Sequence, residues 1–124
     1  MSKFRYFNAS PNEVKRNDCV IRALSTALGV GYFEIEDALL RIGDYYDCEE
    51  LNVACYRRLL TKGLGLQEFK GDGRTVGEVS DDHPNDDLII RIEGHATVSL
   101  QNCIYDLFDC RDEICDRYWI VERY

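Results

Sequence analysis

The sequence of 124 residues has little basic charge, no long apolar run and few of the residues that build flexible linkers. Lysine and arginine total 15 against 23 aspartates and glutamates, which gives a formal net charge of −8. Because an acidic surface repels phosphate backbones, we expect no general nucleic-acid binding. No apolar run approaches the roughly 18 residues of a spanning helix, so we expect no membrane association. Nine glycines and two prolines are too few for a low-complexity linker protein.

A signal peptide is also missing from the beginning of the sequence. The first eight residues, MSKFRYFN, contain neither an apolar core nor a small-residue cleavage site. We therefore expect a cytoplasmic protein whose six cysteines are reduced thiols. The length predicts a single domain over residues 1–124.

The hydrophobic pattern changes its period near residue 64. Before that point it is helical, with an apolar stripe of Val20, Leu24, Ala27 and Leu28 directly after Cys19 and a natural stop at Gly29. Further helical segments are predicted over 11–16, 32–42, 49–62 and 75–79. Strands are predicted over 1–8, 64–70, 88–92, 95–100, 103–108 and 117–122. This order predicts an α+β fold, in which N-terminal helices pack on a C-terminal antiparallel sheet.

The C-terminal hairpin is the most informative segment. If Gln101 and Asn102 form a two-residue turn, residue i lies opposite residue 203 − i. Asp106 then pairs with Thr97, and His95 lies diagonally next to Asp106 on the same face. The other face is apolar and carries Ala96, Val98, Leu100, Cys103, Tyr105 and Leu107.

A histidine held by a carboxylate is half of a nucleophilic site, and Cys19 is a suitable nucleophile for it. The carboxylate fixes the tautomer of the imidazole and stabilises the imidazolium. A helix N-terminus lowers the pKa of a thiol and offers backbone N–H groups to a developing oxyanion. The neighbouring carboxylate of Asp18 opposes this effect, because a negative charge raises the pKa of a thiol.

These motifs resemble a known family. The segment NDCVIRAL places a cysteine at the start of a buried helix, and GHATVSLQNCIYDLFDC places a histidine and an aspartate on one hairpin. Their order resembles the papain-like cysteine peptidase fold, and more narrowly small uncharacterised phage-encoded proteins of that fold. The resemblance implies that Cys19 is the nucleophile, His95 the general acid and base, and Asp106 the orienting residue.

The resemblance also implies an oxyanion donor ahead of the cysteine. The family often has a glutamine about six residues before the nucleophile, and here that position is Glu13. An ionised glutamate cannot donate a hydrogen bond, so Asn17 or Asn12 is the candidate donor in its place. The chain is much shorter than a full papain enzyme, which implies a minimal substrate cleft.

We expect neither a metal nor a cofactor. Cys103, Cys110 and Cys115, with His95 nearby, lack the paired short knuckles of a structural zinc site. The sequence also lacks a phosphate-binding loop, a dinucleotide fingerprint and a complete EF-hand loop.

Two functions remain open. The first is a thiol-dependent hydrolase that cleaves a peptide, isopeptide or other amide bond of a peptide or protein substrate; acyl transfer to an amine would use the same residues. The second is a non-catalytic acidic phage-type binding protein that inhibits or adapts a host protein in the host cytoplasm. The sequence gives no oligomeric state.

Overall fold

The computed structural model describes residues 1–11 and 18–122. Residues 12–16 of the predicted first helical turn lie outside the described residues. The described helices are α1 (Cys19–Leu28), α2 (Tyr32–Tyr46), α3 (Val53–Arg58), a π-helical turn (Leu59–Gly63) and α4 (Val76–Asp82). The described strands are β1 (Lys3–Tyr6), β2 (Glu68–Lys70), β3 (Asp87–Ile92), β4 (His95–Leu100), β5 (Cys103–Asp106) and β6 (Arg117–Val121).

The helix that carries Cys19 begins and ends where the sequence predicts. Gly29 adopts a left-handed conformation, and its N–H donates to the carbonyl of Ser25, which closes the C-terminus of α1. Val20, Leu24 and Ala27 are buried on one side of α1, as their spacing predicts. The helix is therefore fixed against the core, and its first turn has a defined position.

The sheet is mixed, which corrects the prediction of an antiparallel sheet. Its strand order is β1-β5-β4-β3-β6-β2. Every strand pair is antiparallel except β1 with β5, which is parallel. A hairpin turn forces its two strands to be antiparallel, whereas β1 reaches the sheet edge through a long connection that leaves its direction free. Sequence periodicity predicts the strand but carries no information on that direction.

Hydrophobic clusters cover both faces of the sheet. Trp119 and Ile89 pack with α1, α2 and α3 on one face, whereas Tyr118 and Ile90 pack with α4 on the other. Since Leu88 to Ile90 are all fully buried, β3 has no solvated face. The hairpin face that carries Thr97 and Asp106 is buried too, because α4 and the segment with Cys110 and Cys115 pack on it.

The free-thiol prediction is wrong for two of the six cysteines. Cys48 and Cys55 form a disulfide that links the loop after α2 to α3. Cys19, Cys103, Cys110 and Cys115 are free. The sequence alone does not show that these two thiols, seven residues apart, meet in space.

Membrane insertion through a helix has no support in the described residues. Within residues 1–11 and 18–122, each helix is too short or too polar to cross a bilayer.

Candidate active site

Strand register brings the histidine and the aspartate together. The pairs Val98 with Tyr105 and Leu100 with Cys103 follow the predicted register. The turn residues Gln101 and Asn102 both have positive φ, at 50° and 63°, as a tight two-residue hairpin turn requires. His95 begins β4 and Asp106 ends β5, so the two residues lie at the same end of the sheet.

The imidazole of His95 is bonded to the carboxylate of Asp106. The distance from His95 Nε2 to Asp106 Oδ2 is 2.7 Å, and both side chains are largely buried. The second oxygen of Asp106 accepts a hydrogen bond from the backbone N–H of Leu107 at 2.7 Å. These two contacts fix the carboxylate, which in turn fixes the plane and the tautomer of the ring.

Cys19 contacts the same histidine from the first turn of α1. Burial raises the pKa of its thiol, but a hydrogen bond with His95 and one from the N–H of Ala96 oppose that effect. The positive charges of His95 and Arg22 act in the same direction, and the net result is a pKa below the ordinary value of 9.0. Because Nε2 of His95 is bonded to Asp106, Nδ1 is the ring nitrogen that remains for the sulfur.

The electrostatics of His95 complement those of the thiol. Burial lowers the pKa of the imidazole, whereas the hydrogen bonds to Asp106 and Cys19 and their negative charges raise it to about 9. The pKa of Asp106 is lowered, because the bond from His95 and the approach of Thr97 outweigh the effect of burial. A low thiol pKa beside a high imidazole pKa favours a thiolate–imidazolium pair near neutral pH.

Arg22 is a functional residue that the sequence analysis missed. Its Nε donates to Asp18 Oδ1 at 2.7 Å, and its Nη1 lies 3.7 Å from Asp106 Oδ1. Asp18 Oδ2 also accepts a hydrogen bond from the hydroxyl of Tyr32 at 2.7 Å. The buried carboxylate of Asp18 is thus compensated, so its expected opposition to a Cys19 thiolate is reduced. The i, i+4 spacing of Asp18 and Arg22 in the sequence could have revealed this ion pair.

An open cleft of about 280 Å³ adjoins the sulfur and the imidazole. Its lining is partly apolar and includes Val20, Leu51, Val53 and Tyr56, with Glu49 and Arg91 as the charged groups. The segment between the disulfide cysteines forms one wall of this cleft. A substrate carbonyl can therefore reach Cys19 from solvent, next to a surface suited to an apolar side chain.

A second free thiol lies beside the carboxylate of Asp106. Cys110 Sγ is 3.9 Å from Asp106 Oδ2, and the side chain is almost fully buried. Donor atoms of His95, Asp106 and Cys110 all lie within 4.8 Å of one another, a grouping that could hold a metal ion. The sequence pattern groups Cys110 with Cys103 and Cys115, with His95 nearby, whereas the structure groups Cys110 with His95 and Asp106 and not with the other two cysteines.

The candidate oxyanion donors Asn17 and Asn12 lie outside the described residues, as does Glu13. Comparisons of the chain with protein-family models, with curated proteins and with solved structures found no match. The resemblance to papain-like peptidases therefore stays a prediction, and the chemistry must be argued from the geometry alone.

Proposed function

We propose that the protein is a thiol-dependent hydrolase of papain-like fold that cleaves an amide bond in a peptide or protein. One observation carries the proposal. Cys19, in the first turn of α1, lines the same cleft as His95, whose Nε2 is bonded to Asp106 at 2.7 Å, and the imidazole lowers the pKa of the thiol. A nucleophile, a base and an orienting carboxylate in this order are the components of acyl-transfer catalysis.

The reaction begins with attack of the Cys19 thiolate on the substrate carbonyl carbon. The tetrahedral intermediate collapses when His95 gives its Nδ1 proton to the leaving amine, which departs and leaves an acyl-enzyme. Water then attacks the acyl carbon while His95 accepts one of its protons. The products are a carboxylic acid and the regenerated pair, and Asp106 keeps the imidazole oriented throughout.

Substrate orientation follows from the cleft. A developing oxyanion lies best near the N-terminal backbone N–H groups of α1, where the helix dipole is positive. Leu51, Val53 and Tyr56 then line the side where the substrate side chain enters. We therefore expect an apolar residue next to the scissile bond.

A peptide-library digest analysed by mass spectrometry tests the proposal. The natural chain should cleave a subset of peptides and accumulate a covalent acyl adduct on Cys19. Cys19→Ala should lose at least about a thousandfold in rate, whereas Cys103→Ala, at a free cysteine in the turn-proximal end of β5, is the matched control. Cleavage by the Cys19→Ala variant at the natural rate would contradict the proposal.

A second candidate, an acidic binding protein, is favoured by the outer face of α2. Phe33, Leu40 and Tyr45 are exposed there to 56%, 44% and 81%, beside the exposed carboxylates of Asp37 and Asp44. Such a surface suits a basic partner with an apolar patch. If binding is the function, Cys19→Ala keeps the biological effect and charge reversal at Asp37 and Asp44 removes it.

A further inference from the structure

The group formed by His95, Asp106 and Cys110 combines an imidazole, a carboxylate and a thiol. These are the three donor types that zinc takes in proteins. The three donor atoms lie within 4.8 Å of one another. Only His95 and Asp106 have a part in the proposed reaction, so the buried thiol of Cys110 is left without a role in it.

The spacing of the donors is close to that of a tetrahedral zinc site. Zinc–ligand bonds of roughly 2.0–2.3 Å place neighbouring donor atoms roughly 3.3–3.7 Å apart. In the structure, His95 Nε2 is 2.7 Å from Asp106 Oδ2, and that oxygen is 3.9 Å from Cys110 Sγ. The first separation must grow by roughly 0.6–1.0 Å and the second must shrink by roughly 0.2–0.6 Å. His95 Nε2 and Cys110 Sγ, which lie within 4.8 Å of each other, must also approach to the same spacing.

A buried hydroxyl faces the same space. The side chain of Thr97 is 1% exposed, and it lies close to the carboxylate of Asp106 and the thiol of Cys110. Burial raises the pKa of the Cys110 thiol to about 11, although the contact with Thr97 opposes that effect. Within the described residues Thr97 Oγ1 makes no hydrogen bond of ordinary length and angle, so the hydroxyl keeps hydrogen-bonding capacity for a water bound to a metal.

The geometry points to a binding site for a thiophilic divalent cation, zinc above all, formed by His95 Nε2, Asp106 Oδ2 and Cys110 Sγ. A water that faces Thr97 takes the fourth position. Binding releases the Nε2 proton of His95 and the thiol proton of Cys110 to solvent.

A cation bound at this site would inhibit peptide cleavage, and this part of the inference rests on the proposed function. The cation takes the Nε2 lone pair and separates the ring from Asp106, so His95 can no longer exist as the imidazolium that protonates the leaving amine. The chain would then be active only where free zinc is scarce. Metal binding itself requires no catalytic activity.

Zinc binding is best measured in a Cys19→Ala background, which removes the nucleophile as a competing ligand. Competition with a chromophoric chelator should show one equivalent of zinc bound. Adding Cys110→Ser should weaken binding at least about tenfold, whereas adding Cys103→Ser, at a free cysteine outside the group, should leave it unchanged. Equal binding by all three variants, or no competition with the chelator, would overturn the site.

A second readout does not depend on the folding of a Cys110 variant. Cobalt(II) added to the Cys19→Ala chain should give a thiolate-to-metal charge-transfer band and should shift the imidazole NMR signal of His95 but not that of His83. Without the band, the site is refuted. If zinc binds this group but no peptide is cleaved, the metal site is supported and the proposed hydrolase is refuted. If peptides are cleaved and zinc has no effect, the hydrolase is supported and the inhibitory metal site is refuted.

Discussion

The bond between His95 and Asp106 makes a quantitative prediction about proton binding. In Asp106→Asn the side chain keeps its shape and loses its negative charge. The pKa of His95, about 9 in the natural chain, should then fall below about 8, because its largest stabilising contact is gone. Burial and the remaining contact with Cys19 then act in opposite directions, so the pKa should move towards the ordinary value of 6.5.

The size of the effect depends on pH. At pH 8 an imidazole with a pKa of about 9 is roughly nine-tenths protonated, whereas one at 6.5 is roughly three-hundredths protonated. Loss of the carboxylate can therefore reduce the imidazolium up to about thirtyfold at pH 8, and much less at pH 6. The corresponding loss of peptide cleavage should grow with pH across this interval.

NMR titration of the imidazole ring protons measures the pKa directly. The chain has two histidines, and His83→Gln assigns the signal of His95. Asp109→Asn is the matched control, since that exposed carboxylate is paired with Arg111. A His95 midpoint near 6.5 in the natural chain, or one that stays at about 9 in Asp106→Asn, would refute the reasoning.

Three further changes test the structure around the site by urea unfolding. Arg22→Leu leaves the buried carboxylate of Asp18 without its cation and should cost roughly 3–5 kcal/mol. Arg41→Leu, at an exposed ion pair, should cost under about 1 kcal/mol, and equal costs would contradict the structural role of Arg22. Gly71→Ala places a Cβ 1.9 Å from the carbonyl oxygen of Cys115, so it should destabilise the fold by roughly 1–3 kcal/mol, and an unchanged midpoint would refute that close approach. Cys48→Ser opens the disulfide, whose cysteines are seven residues apart, and should lower the free energy of unfolding by roughly 2.5 kcal/mol. Reduction of the natural chain should lower it by the same amount, and an unchanged stability in both experiments would exclude the disulfide.

The hairpin could be predicted from the sequence because its determinants are local. A two-residue turn determines which residues of the two strands lie opposite each other. The proximity of His95 and Asp106 can therefore be predicted from their residue numbers. In the same way, the C-cap at Gly29 and the apolar stripe that begins with Val20 predict where α1 ends and which of its faces is buried. The start of α1 could therefore be identified as a candidate nucleophile site before the structure was known.

Features that depend on distant segments could not be predicted in this way. The parallel pairing of β1 depends on which sheet edge is open, and the disulfide of Cys48 depends on how the loop after α2 folds back. The proximity of Cys110 to Asp106 arises from a turn that leaves the regular strand pattern. Arg22 was the exception, since its spacing from Asp18 was visible in the sequence.

The reactivity of the Cys19 sulfur tests the central claim most directly. Iodoacetamide labelling at pH 6, followed by peptide mapping, compares the alkylation rates of Cys19 and Cys103. The account predicts that Cys19 reacts at least about tenfold faster, and that His95→Gln removes this advantage. Equal rates for the two thiols in the natural chain, or an advantage that survives His95→Gln, would contradict the thiolate–imidazolium pair.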